Sequence, residues 1–149
     1  MAVELHRRYE VDGVIFIGSR SSLDEVATDF PAVVLGEVPD GVKVWRVSVD
    51  NEGGGQLLGE HLWSLGHRRV GMLFCENNRL PSEKRLRGFR SVWERHGAAF
   101  PDAWVARIIS DAAEEVQEKL QPLVPRESRR RPPLTGLFCY NDRLAGIAI

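Results

Sequence analysis

The stretch from Trp45 to Cys75, WRVSVDNEGGGQLLGEHLWSLGHRRVGMLFC, constrains the fold more than any other part of the chain, because it has the pattern of a complete strand–helix–strand unit. Val47 and Val49 alternate with polar neighbours and run out into Asp50-Asn51, which predicts a strand ending in a loop. A helix follows almost at once. Leu57, Leu58, His61, Leu62 and Leu65 fall on one helical face, and Gln56, Glu60 and Ser64 fall largely on the other. Gly66 stops this helix, since glycine takes the left-handed conformation that closes a helix end. His67, Arg68 and Arg69 then place positive charge near the carbonyl end of the dipole. Val70, Met72, Leu73 and Phe74 make a mostly apolar strand of the kind buried on both faces of a parallel sheet. Taken together, the stretch predicts a right-handed β-α-β crossover in an α/β fold with a parallel sheet.

In chain order, residues 11–17 are expected to form a buried strand that ends at Gly18-Ser19-Arg20-Ser21-Ser22, a loop with small hydroxyl residues where α/β folds place ligands. A short helix over 23–30 has Ser22 as its cap and Glu25 three positions on, a capping box. Pro31 ends it, 32–35 is a strand, and the Pro- and Asp-Gly-containing segment 36–43 is a surface loop. Beyond the central unit come a loop over 76–83 and a helix over 84–96 stopped by Gly97. A strand over 104–109, a helix over 111–123, the basic loop PRESRRRPP, a strand over 134–140 and a helix from Asn141 complete the chain. The first ten or so residues have the character of the tail of an earlier helix, and the last helix has no stop signal. A piece of a longer α/β protein is therefore expected, with apolar edges and faces left uncovered.

Composition removes several classes. At 149 residues, 43% hydrophobic and 28% charged, the chain has the make-up of a soluble globular domain. No apolar run approaches the ~20 residues that span a bilayer. The opening MAVELHRRYEVDG has charges where a signal peptide needs an apolar core, so a cytoplasmic location is expected. Cys75 and Cys139 lie far apart, with neither zinc-knuckle nor CxxC spacing, and are expected to be buried free thiols. Twenty basic against 21 acidic residues, a net charge of −1, give no overall attraction to DNA or to anionic lipid.

Candidate chemistry is sparse. Gly53-Gly54-Gly55 sits between a strand and a helix, but no GK[ST] follows and the dinucleotide spacing is missing, so close packing at a helix start is favoured over phosphate binding. His67 has no GxSxG nucleophile to serve and suits helix capping or strand packing. No pattern calls for a cofactor or a metal. The carboxylates of Asp50, Asp111 and Asp142 each stand near the C-terminal end of a predicted strand, where an acid–base pair is conceivable. Arg129-Arg130-Arg131 is expected to be a solvated basic loop. Arg85 in Arg85-Leu86-Arg87-Gly88-Phe89 is more purposeful: placed in the first helical turn it works against the dipole, its planar donors suit a carboxylate, phosphate or sugar hydroxyls, and Gly88 permits a close helix approach. Asn141-Asp142 directly follows a strand, where the pair can cap the next helix, face a ligand, or both.

The segments VDGVIFIG, PAVVLG, VSVDNEGGG with EHLWSLGHRRVGMLF, RLRGF and LFCYNDRLAGIAI, in that order and spacing, resemble the effector-binding core of the LacI/GalR family of bacterial transcriptional regulators. The likeness covers nearly the whole chain. It implies an α/β, partial two-lobed, periplasmic-binding-protein-like fold built on Rossmann-like parallel sheets. Residues 1–50 would be part of the N-terminal lobe and residues 51–149 part of the C-terminal lobe, with a small effector, a sugar or related metabolite, held in the cleft. By the same resemblance Arg85 matches the ligand-holding arginine and Asn141-Asp142 the strand-end pair, with Gly18, Val49 and Asp111 at cleft-lining positions. The implied protein is no enzyme. It would work as a homodimer in full-length form, meet operator DNA only through a helix-turn-helix that these residues do not include, and make no membrane contact. The family's hinge helix is likewise not among these residues, nor are the first β-α units of the N-terminal lobe and the last elements of the C-terminal lobe. Gly36 stands where many members carry a polar or acidic cleft residue. The rival reading is a secreted or periplasmic sugar-binding protein of a transport system, which an upstream signal peptide would mark. A doubly wound hydrolase or nucleotide-dependent enzyme is a second, weakened by the missing nucleophile and phosphate motifs.

Overall fold

A computed structural model describes residues 11–17, 31–124 and 134–149. Gly18 and the rest of the hydroxyl loop, the capping-box helix and the run Arg129-Arg130-Arg131 lie outside them. The chain divides into two compact units, Met1–Asp50 and Asn51–Ile149.

In the first unit, β1 (Val14–Ile17), β2 (Ala32–Leu35) and β3 (Trp45–Val47) form a parallel sheet in that order. Phe16 pairs with Val34, and Val34 with Arg46. One face supplies the small core of Ala32, Val34 and Val38, against which Phe16, Val42 and Val44 pack. The alternate residues Ile15, Ile17, Leu35, Trp45 and Val47 point the other way and are exposed, Ile17 by 85%. The expected buried strand over 11–17 is thus shorter and half-exposed, since pleating sends every second side chain to the opposite face. The surface loop over 36–43 also needs correction: Glu37 and Val38 are buried, the latter because it closes the core beside Val34.

The second unit contains α1 (Asn51–Ser64), β4 (Val70–Cys75), α2 (Arg79–Arg95), β5 (Val105–Ile108), α3 (Ala113–Leu120), β6 (Gly136–Cys139) and α4 (Asp142–Ala148). Its strands are parallel in the order β5-β4-β6. The predicted β-α-β crossover is therefore overturned: β3 bonds to β2 in one sheet, while β4 lies between β5 and β6 in another. Periodicity reports which way a side chain faces, not which sheet its strand joins, so two strands flanking one helix were indistinguishable from a crossover.

Central position explains the apolar run of β4, which is buried from Val70 through Phe74. Val70, Met72 and Phe74 face Leu86, Phe89, Val92 and Trp93 of α2 together with Phe100 and Phe138. Leu73 faces the other way, with Ala106, Ile108, Val116, Leu120 and Leu144. Helices α1 and α2 thus cover one side of the sheet and α3 and α4 the other.

The face that α1 buries is not the leucine stripe expected. Leu57 is 75% exposed, and Leu65 and His61 are exposed too; Leu58 and Leu62 are only partly buried. Asn51, Gly55 and Gly59 are the buried positions. A Cβ at Gly55 would lie 2.1 Å from the Arg85 carbonyl oxygen, and one at Gly88 would lie 2.0 Å from that of Glu52. The two helices cross backbone to backbone, a contact open only to glycine, and this displaces leucine from the seam.

Helix ends follow local chemistry. Gly66 (φ 85°) and Gly97 (φ 70°) terminate α1 and α2 in the left-handed conformation, as their spacing predicts. Helix α2 begins at Arg79, ahead of the expected Lys84, because Pro81 is tolerated in a first turn. Arg85 consequently lies in the second turn, and the dipole argument for it does not apply. The thiols of Cys75 and Cys139 are free but only partly buried, not fully so; both stand at strand ends, and burial raises the Cys139 thiol above its ordinary pKa.

Candidate functional site

Because β4, β5 and β6 are parallel, their C-terminal ends share one edge of the sheet, the edge at which open α/β sheets take ligands. Three segments emerge there: Glu76-Asn77-Asn78, Ile109-Ser110-Asp111 and Tyr140-Asn141-Asp142.

Arg85 reaches this edge from α2. Its Nε donates to Asn51 Oδ1 (2.8 Å) at the start of α1, and its Nη1 donates to the Tyr140 carbonyl (2.5 Å) at the end of β6. The guanidinium carbon lies 4.5 Å from the centre of the Tyr140 ring, a cation–π distance. One arginine therefore links three elements. Burial raises the Tyr140 phenol above its ordinary pKa, against the lowering pull of the Arg85 charge.

Asn141 is the N-cap of α4, its Oδ1 accepting from the Leu144 amide (2.9 Å). Asp142 accepts from the Arg143 amide (3.0 Å), while the Arg143 side chain pairs with Asp111 (3.0 Å). Asp111 and Asp142 thus both attach to Arg143, through its side chain and its backbone, and form a capping and pairing network, not an acid–base couple. Asp50 belongs to the first unit, as does Val49, which is 69% exposed. Of the residues singled out in the sequence, the structure brings Arg85 and Asn141 to neighbouring positions through Tyr140, and ties Asp111 to the residue after Asp142. Gly18 is outside the described residues.

Side chains that sequence reasoning passed over hold the edge in shape. Glu115 of α3 accepts from the Ile109 amide (2.7 Å), the Ser110 amide (2.9 Å) and the Ser110 hydroxyl (2.6 Å). The backbone bond from Ile109 and the Ser110 hydroxyl lead in holding its carboxyl below the usual carboxylate range. Asn77 donates to the Ile109 carbonyl, and Arg107 pairs with Glu76 (2.9 Å), so β4 and β5 are tied at their ends. Asn51, the partner of Arg85, had a sequence signal, an Asn ahead of glycines that let a second helix approach. The Glu115 clamp had none. His67, whose Nδ1 lies 2.9 Å from Thr135 Oγ1, joins the end of α1 to the start of β6 as a packing residue. A cavity of about 740 Å³ lined by Gln117, Leu120, Gln121, Ala148 and Ile149 lies between the last turns of α3 and α4, away from the ends that carry Asp111 and Asp142.

Residues 60–148 match the periplasmic binding protein-like domain family. The HTH-type transcriptional repressor PurR of Aliivibrio fischeri (strain MJ11) is 26% identical over 144 residues, covering 93% of this chain and 42% of that protein. The arabinose metabolism transcriptional repressor of Geobacillus stearothermophilus is 40% identical over 103 residues, 66% of this chain and 27% of its own length. This chain therefore spans less than half the length of these relatives. A crystal structure of a regulatory protein of the LacI family from Chloroflexus aggregans superposes with a TM-score of 0.81 at 22% identity, over 98% of this chain and 52% of that one, which shows the shared fold. With its parallel sheets and its ordered motifs from DNEGG to NDRLA, the chain belongs to the periplasmic binding protein-like domain family, in the form that LacI/GalR transcriptional regulators carry.

Proposed function

We propose that this chain is the effector-sensing core of a DNA-binding transcriptional regulator, with residues 1–50 contributing to an N-terminal lobe and residues 51–149 to a C-terminal lobe. The observation that carries the reading is Arg85, set at the C-terminal edge of the β5-β4-β6 sheet by Asn51 and Tyr140. A cation held at that edge, beside the helix cap Asn141, gives directional donors for a sugar or a related polar metabolite. Asp111, Asp142, Val49 and Gly18 complete the proposed effector set.

Relatives named as transcriptional repressors favour a regulator over a transport protein and over an enzyme. The mechanism is linkage: an effector with unequal affinity for two states of the regulator shifts the population that binds operator. The regulator would act in the cytoplasm as a homodimer, its operator contacts made by a segment outside these residues. No helix among the described residues is long and apolar enough to cross a membrane.

Arg85→Ala in the complete protein is expected to abolish effector response while leaving operator occupancy intact. The test is a reporter titration with L-arabinose, other pentoses and hexoses, and purine bases. Losing a charged donor costs about 1.5–3 kcal/mol, which weakens binding roughly ten- to 150-fold, so the response should be lost at effector concentrations that just suffice for the wild type. An unchanged titration would overturn the role given to Arg85.

A further inference from the structure

Tyr140 holds the Arg85 guanidinium in two ways at once. Its carbonyl accepts from Nη1, and its ring lies under the guanidinium carbon at 4.5 Å. Asn51 Oδ1 accepts from Nε at 2.8 Å. The Arg85 backbone is equally confined, since the Gly55 Cα of α1 packs against its carbonyl. A long side chain with several rotatable bonds is thereby fixed at both its root and its tip.

Only the aromatic face distinguishes tyrosine from other residues in this arrangement, because any residue at position 140 supplies the carbonyl. A small side chain there would keep both hydrogen bonds but leave one face of the guanidinium uncovered, so that the plane of the group is held at its edge alone. We infer that Tyr140 is a positioning residue for the site, its ring setting the pose in which Arg85 meets the effector. The inference rests on the effector-binding role proposed for Arg85. It deepens that role by assigning the pose to an aromatic platform at the end of β6. The energetic reason is pre-organisation: a donor already held in its binding rotamer loses less freedom when the effector arrives.

The contact can be read without any effector. The chain has two tyrosines, Tyr9 and Tyr140, so Tyr9→Phe makes the phenol absorbance a reporter of Tyr140 alone. The phenol is raised by burial, lowered by the Arg85 charge and raised by Cys75. Neutralising the arginine in that background (Arg85→Gln) should move the phenol titration to higher pH, because the nearby charge that favours the phenolate is removed. A titration that does not move overturns the inference.

The second readout is the response to the sugar and base panel in the complete protein. Tyr140→Phe keeps ring and carbonyl and should respond as wild type. Tyr140→Leu keeps bulk without the aromatic face and should respond about three- to ten-fold more weakly. Full response in Tyr140→Leu, alongside a response lost in Arg85→Ala, overturns the positioning role and leaves the proposed function standing. Full response in Arg85→Ala overturns the effector-binding role proposed for Arg85, and this inference with it, whatever the phenol titration shows. If Tyr140→Leu does not fold, the phenol titration and the behaviour of Tyr140→Phe still decide.

Discussion

The two sheets of this chain are made of similarly apolar strands and differ in what lies against them. Strand β4 is buried from Val70 through Phe74 because helices cover both faces of its sheet. Strands β1 and β3 carry Ile15, Ile17, Trp45 and Val47, all exposed, because the described core of their sheet lies on one face only. Apolar composition therefore marks a strand's capacity for burial, and the flanking helices determine how much of that capacity is used.

The strongest way to break the contrast is to remove the cover from the second unit. Gly88→Ala puts a carbon 2.0 Å from the Glu52 carbonyl oxygen, a backbone atom that no rotamer change can move. Separating α1 from α2 should cost about 3 kcal/mol, read as a fall in denaturation midpoint together with lost hydrogen-exchange protection along β4. Denaturation unchanged from wild type would mean that the glycine seam does not hold the cover in place.

A smaller effect should come from the loop edge of the same unit. The Glu115 carboxyl is lowered by its bonds to Ile109 and Ser110, so its stabilising contribution is present above the unfolded carboxylate pKa and is lost as pH falls through the folded value. In Glu115→Gln the acid limb of the stability profile should flatten, measured as the midpoint across the range from neutral pH to acid. An acid limb identical to wild type would remove Glu115 as its source.

The smallest change belongs to the first unit. Ile17→Thr replaces a side chain that is 85% exposed and should alter stability by no more than about 0.5 kcal/mol. The same denaturation series checks it, and a loss of core-like size would show that this face is covered in solution.

Much of the architecture was legible because it is written locally. Strand β2 matches its expected bounds, Gly66 and Gly97 stop their helices, and Asn141 caps α4, since each depends on neighbours in sequence. What was illegible depends on distant partners. Nothing within Trp45–Cys75 reveals that its strands enter different sheets, and the leucine stripe of α1 concealed a glycine seam whose counterpart, Gly88, lies on another helix. The site divides in the same way. Arg85 and Asn141 stand out in their own motifs, whereas Asn51 and Tyr140 become partners of Arg85 only after folding, from 34 and 55 residues away.

The glycine seam also determines where a pull on Arg85 would go. Gly55 and Gly88 set the backbones of α1 and α2 directly against each other, with no side chains between them to yield. A seam without padding acts mechanically as a rivet. A load on the guanidinium passes to two helices at once, and the root of Arg85 behaves as a stiff lever, not as a spring that would absorb the displacement before the rest of the molecule felt it.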